Sequence, residues 1–279
     1  MTEENNGHNG ILVAQDGSPA ALAAAGVAVQ IAQSRDWPVH GLYVVDEALA
    51  LNTYADFHDE LEGGREPASR AQLLSWFEAQ GEAALRLLES RCQAAGVPVS
   101  TEILAGGVPQ MVLRESEQAS LLAIGRRGHG HEGDAPHLGR TFRSVAHHLH
   151  LPMLVGGGEE RTVHRLLLAY DGSEYARDAL GWAASLQRGL PAEVVVLAVQ
   201  EEGQRRADEW LAEAQAQLGE CRCLRRQGQL AGEIVQVARE ETVDLIIMGR
   251  HRHAALLEWL TGSTMDRVLQ EIDLPLLVA

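Results

Sequence analysis

The sequence predicts an α/β protein of two repeated, doubly wound domains, each a five-stranded parallel sheet with helices on both faces. Three observations predict it. The chain has 279 residues, the length of two domains at about 150 residues each. Three sequence landmarks recur along it in the same order, which marks an internal repeat. Its apolar runs are short and continuous, such as Val194-Val195-Val196-Leu197-Ala198-Val199. Strands buried on both faces of a helix-covered parallel sheet read that way.

The first landmark, Ile11-Leu12-Val13-Ala14-Gln15-Asp16-Gly17-Ser18, returns as Leu166-Leu167-Leu168-Ala169-Tyr170-Asp171-Gly172-Ser173. The second, Leu121-Leu122-Ala123-Ile124-Gly125-Arg126, returns as Leu245-Ile246-Ile247-Met248-Gly249-Arg250. The third, Leu151-Pro152-Met153-Leu154-Val155, returns as Leu274-Pro275-Leu276-Leu277-Val278. The offset is 155 from Asp16 to Asp171, but 124 from Gly125 to Gly249 and 123 from Pro152 to Pro275. The first copy therefore holds about 32 extra residues in its middle. Many of them fall in the polar stretch 46–67, with Gly63-Gly64 and Pro67, which reads as a long surface loop. The expected domains are 1–157 and 162–279, joined by the flexible, charged junction Gly156-Gly157-Gly158-Glu159-Glu160-Arg161.

Each element follows in turn. The opening strand leads to a helix at 19–34, where Ser18 suits the N-cap and Pro19 the first turn. The run Tyr43-Val44-Val45 is the second strand. Helices are expected at 68–95, 109–119 and 140–150, with the second and third landmarks as strands 4 and 5. The second copy repeats the order, with helices at 174–188, 203–218, 231–241 and 263–272. Right-handed crossovers then give a doubly wound layer. Cys221 and Cys223 lie in an expected strand, on one face of it, and read as structural.

Composition sets limits. The chain is 46% hydrophobic and 22% charged, the balance of a packed protein. No apolar run approaches the roughly 18 residues of a membrane span. The first ten residues are polar and acidic, so no leader peptide is expected and the cytoplasm is the default location. All 23 basic residues are arginine, which excludes the lysine of a P-loop and Schiff-base chemistry. A net charge of −16 argues against nucleic-acid binding, which requires cations to displace counterions. Three cysteines, Cys92, Cys221 and Cys223, fit a reduced compartment better than a disulfide scaffold.

Two motifs could carry chemistry. Asp16 and Asp171 follow the first strand of each copy, at the sheet edge where open α/β folds bind ligands. There a carboxylate can accept hydrogen bonds from an adenine amino group or a ribose. Glycine-spaced stretches follow strand 4: Gly125-Arg126-Arg127-Gly128, ten residues, then Gly139-Arg140-Thr141; and Gly249-Arg250-His251-Arg252, nine residues, then Gly262-Ser263-Thr264. Glycine admits close approach of backbone amides to a phosphate. A helix start adds free amides and a favourable dipole. Each motif also reads as a plain helix cap or a glycine-rich loop. His129, His131 and His137, with Glu132 and Asp134, and His147, His148 and His150 match no closed metal site and read as solvated. There is no Gly-x-Ser-x-Gly, no His-Glu-x-x-His and no Cys-x-x-Cys, so no catalytic residue is assigned.

The Asp-Gly-Ser start, the Gly-x-x-Gly-x9-Gly-Ser/Thr stretch and the Leu-Pro-x-Leu-Val strand together resemble the universal stress protein family, in tandem form, over roughly 9–157 and 163–279. The resemblance implies a Rossmann-like fold, of the adenine nucleotide alpha hydrolase type. It implies a regulatory, stress-response protein that binds adenine nucleotide (ATP, ADP or AMP, with or without Mg²⁺) in at least one domain. The ligand contacts it implies are Asp16, Val44, Gly125, Gly128, Gly139 and Thr141 in the first copy. In the second they are Asp171, Val199, Gly249, Arg250, Gly262, Ser263 and Thr264. Val44 and Val199 stand on the second strand, whose backbone meets adenine in the family. The resemblance also implies an internal pseudo-dimer, with the final strands of the two domains paired, and leaves open a homodimer and unidentified protein partners. Arg140 stands where the family has Ser, Arg252 where it has Gly, and the first copy's spacing is one residue longer. These departures keep two alternatives in view: an interaction scaffold that binds no nucleotide, and a weak ATPase.

Overall fold

A computed structural model of the chain describes residues 10–46, 70–128, 138–200, 206–250 and 264–279. The long loop expected at 46–67 lies, except for Asp46, outside the described residues. The first half runs β1 (Ile11–Ala14), α1 (Pro19–Arg35), β2 (Val39–Asp46), α2 (Arg70–Ala95), β3 (Val99–Gly106), α3 (Val108–Ser116), β4 (Leu121–Gly125), α4 (Arg140–His148) and β5 (Met153–Gly156). The second half repeats it as β6 (Arg165–Ala169), α5 (Glu174–Gly189), β7 (Glu193–Gln200), α6 (Ala207–Leu218), β8 (Arg222–Gln227), α7 (Leu230–Glu240), β9 (Leu245–Met248), α8 (Thr264–Glu271) and β10 (Leu276–Val278).

The strands form one sheet in the order β3-β2-β1-β4-β5-β10-β9-β6-β7-β8. Within each half all pairings are parallel, in the doubly wound order expected. At the seam β10 runs antiparallel to β5, with Leu277 opposite Leu154. The two sheets are therefore halves of one continuous sheet, paired as the resemblance implied. The physical reason is that β5 and β10 are short apolar strands, and an unpaired edge would leave their backbone groups exposed.

Helices cover both faces. Ile11, Val13, Leu166 and Leu168 point to the face shared with α1, α2, α5 and α6. Leu12, Leu122, Leu167 and Ile246 point to the other, shared with α3, α4, α7 and α8. Each core runs across the seam. Helix α1 is alanine-rich and buried almost all round, the property of a helix enclosed between a sheet and other helices. Ser18 and Ser173 cap α1 and α5, each accepting from the amide three residues on at 3.2 Å, a contact worth about 1 kcal/mol.

The junction between the halves differs from the flexible linker expected. The side chain of Gln30 donates to the Arg161 carbonyl at 2.9 Å and accepts from the Val163 amide at 2.9 Å. The Gly158 amide donates to Asp273 at 2.6 Å, and Arg91 pairs with Glu160. Glycine and charge read as slack in sequence, but these groups meet partners from α1, α2 and the stretch after α8, and the junction is held against the domain.

Candidate functional site

Strand order reverses between β1 and β4, which lie side by side, and the carboxyl ends of two such strands are where open α/β sheets place a ligand crevice. Asp16 stands two residues beyond β1. Its Oδ1 accepts from the Ser18 amide at 2.9 Å, and Gly17 between them has φ +77°, a conformation glycine adopts without cost. Ser18 Oγ donates to the Arg127 carbonyl at 3.1 Å, tying the loop after β1 to the loop after β4. Gly128 lies against the carboxylate: a methyl group on it would stand 2.9 Å from Asp16 Oδ2. The Gly139 amide donates to the Arg126 carbonyl at 2.9 Å. Gly139 is the N-cap of α4 and offers no side-chain acceptor to the first turn, where Thr141 sits half-buried. Asp16, Gly128 and Gly139 are thus brought together around one helix start.

Gly125 has a packing role: a Cβ there would lie 2.8 Å from the Ala21 amide nitrogen of α1. Val44 is half-buried near the end of β2, packed against the core under α3 and α4. Burial raises the Tyr43 phenol, and the nearby Asp16 charge adds to it.

The second half is built alike, with changed contacts. Asp171 Oδ1 accepts from the Ser173 amide at 3.0 Å, and Gly172 has φ +70°. The indole of Trp210, on α6, stands 2.5 Å from where a Gly172 Cβ would be. A Cβ on Gly249 would meet the Tyr175 carbonyl at 2.5 Å, as Gly125 meets α1. Val199 is half-buried on β7 and Thr264 half-buried at the start of α8. Gly262, Ser263 and Arg252 lie outside the described residues, as do His129, His131 and His137 with Glu132 and Asp134.

Arg250, expected among the phosphate contacts, turns its guanidinium across the seam, donating from Nη1 to the Leu149 carbonyl at 2.6 Å and from Nη2 to that of Leu151. Its counterpart Arg126 does the reciprocal thing, donating to the Leu269 and Ile272 carbonyls at 3.0 and 2.9 Å and pairing with Asp273. Carbonyls at a helix C-terminus attract a cation, and the antiparallel seam brings each of these ends beside the other half's arginine.

Sequence reasoning also missed side-chain groups that only the register assembles. Ser100 faces His40 across β2 and β3, and its Oγ lies 2.9 Å from His40 Nδ1. Glu102 and Glu115 place carboxylate oxygens within 4.8 Å of that imidazole. Around Tyr170, which is 2% exposed, Arg177 donates to Glu213 at 2.7 Å. Burial pushes the Tyr170 phenol up to about 12, and Glu213 acts in the same direction. The folded state then keeps a proton that the unfolded chain loses near pH 10. This stability is full below pH 10 and is lost as pH rises toward 12. Tyr170→Phe should flatten that loss in denaturation curves recorded across the same range.

Among the described residues no helix is long and apolar enough to cross a membrane. A family model described as "Universal stress protein family" matches residues 8–155, 162–221 and 200–279. A universal stress protein of Mycolicibacterium smegmatis is 25% identical over 292 aligned positions, covering 96% of both chains. One from Synechocystis is 28% identical over 170, and the chain spans 56% of its length. The crystal structure of a universal stress protein from Archaeoglobus fulgidus superposes with a TM-score of 0.74 at 20% identity, over 97% of this chain and 96% of that one. At that identity the likeness concerns the fold.

Proposed function

Because this chain belongs to the universal stress protein family, matched along nearly all its length, we propose that it is a regulatory protein that binds an adenine nucleotide in the first half's crevice. The observation that carries this reading is the convergence of the Asp16 carboxylate, Gly128 and the N-terminus of α4 at Gly139. Glycine at 128 leaves backbone amides open to close approach. The first turn of α4 presents amides and a positive dipole end to phosphate. The carboxylate accepts hydrogen bonds from the nucleoside, and Val44 lies beside the base. Mg²⁺, where it accompanies ATP, offsets charge that no lysine is present to meet. Occupancy then alters contacts with a protein partner.

The test is isothermal titration with ATP, ADP and AMP, with and without Mg²⁺. Saturable heat is expected with at least one of them. Gly128→Val drives a branched side chain toward Asp16 Oδ2 and should weaken that binding by roughly tenfold or more, about 1.4 kcal/mol. Absence of heat with every nucleotide overturns the reading. A second reading, an interaction scaffold that binds no nucleotide, is favoured by one observation: Arg126 and Arg250 are both committed to carbonyls across the seam and leave no guanidinium of theirs for phosphate.

A further inference from the structure

We propose that the cleft between the two halves is a separate binding site for a small aromatic carboxylate. The cleft measures about 840 Å³, within the roughly 300–1,000 Å³ of small-molecule sites. Arg35 at the end of α1 and Trp37 just beyond it line the cleft, with Trp182 of α5, His147 of α4 and His150 just beyond α4. The Arg35 guanidinium lies 4.2 Å from the ring centre of Trp182 and 4.6 Å from that of Trp37. The two indoles meet edge to face, 6.0 Å apart at 82°.

Ring faces hold a cation through their quadrupole but do not neutralise it. Arg35 Nε is shielded from solvent without a hydrogen-bond acceptor. Among the described residues no carboxylate forms an ion pair with this guanidinium, and the charge that bears on it is that of another arginine, Arg188. Asp178 is the single acidic side chain in the cleft lining among those residues. In a chain of net charge −16, a part-buried arginine set among indoles, histidines and another arginine is a local exception that favours an incoming anion. A flat ring stacks on the indoles while its carboxylate takes charge-assisted hydrogen bonds from Arg35.

The full chain is titrated with 2-naphthoate, read by tryptophan emission and by heat. Saturable binding is expected, with 2-naphthalenemethanol, the neutral analogue, roughly tenfold weaker or more. Arg35→Gln should weaken naphthoate by a similar factor. His150→Glu, on the exposed rim, should weaken it by a smaller one. Gly128→Val and excess AMP should leave it unchanged, which separates this site from the crevice. Circular dichroism checks the fold of Arg35→Gln, and if that variant does not fold, His150→Glu and the neutral analogue decide the matter. Lack of saturation into the millimolar range, equal binding of acid and alcohol, or displacement by AMP overturns the proposal.

Discussion

Replacing Gly156 by alanine is expected to destabilise the protein by about 3 kcal/mol or more, the upper range for overpacking a core. Gly156 is the buried last residue of β5 and pairs with Gly125. A Cβ there would lie 1.9 Å from the Ala20 carbonyl oxygen, 2.8 Å from the Ala24 nitrogen and 2.9 Å from the Ala20 carbonyl carbon. All three are backbone atoms of α1, so no side chain can swing aside. The helix itself is enclosed, with Ala23, Ala24, Ala25 and Ala28 at zero exposure, and can retreat only by parting from other packed surfaces. Gly181→Ala is the control. It lies in α5 with nothing within 4 Å of the added methyl, and helix propensity favours alanine there by up to about 1 kcal/mol. Urea denaturation of both variants should shift the midpoint in opposite directions. Equal midpoints for Gly156→Ala and the parent chain would refute the packing argument.

The second large effect is expected from Arg126→Met. Arg126 is 9% exposed, and its Nη1 donates to two carbonyls at the end of α8, those of Leu269 and Ile272. Methionine fills much of the volume but offers no donor. Leaving shielded acceptors unpaired costs roughly 1–3 kcal/mol each. The ion pair with Asp273 adds little, because Asp273 is 53% exposed and such pairs are worth about 0–1 kcal/mol. The expected loss is about 2–4 kcal/mol, with Asp273→Asn alone costing under about 1. The cores run through both halves, so the variant should still unfold in a single transition at lower denaturant. A loss confined to Asp273→Asn would instead make the pair electrostatic at heart.

The repeated order of elements was legible because strand-helix alternation, Ser18 and Ser173 as caps, and the three recurring landmarks are local signals. The seam between β5 and β10 came from family resemblance; the periodicity of either strand is silent about its partner. The glycines divided. Gly128 lies against the Asp16 carboxylate, whereas Gly125 and Gly249 are explained by the start of a helix lying directly over them. Both reasons select the same residue type, so the letters alone could not separate them. Arg250 poses a related difficulty: an arginine beside a glycine loop reads as a phosphate contact. The carbonyls it donates to, those of Leu149 and Leu151, lie about a hundred residues away and come near only through the sheet. The junction at 156–161 misled because composition conveys freedom, while the anchoring Gln30 sits on a distant helix.

The reversal of direction between β5 and β10 has a geometric outcome for anything that visits the molecule. The parallel strands of each half finish at opposite rims of the slab, so sites built on those strand ends face away from each other. A single small compound cannot bridge them. Engaging both rims at once takes two separate partners or one long enough to wrap around the edge.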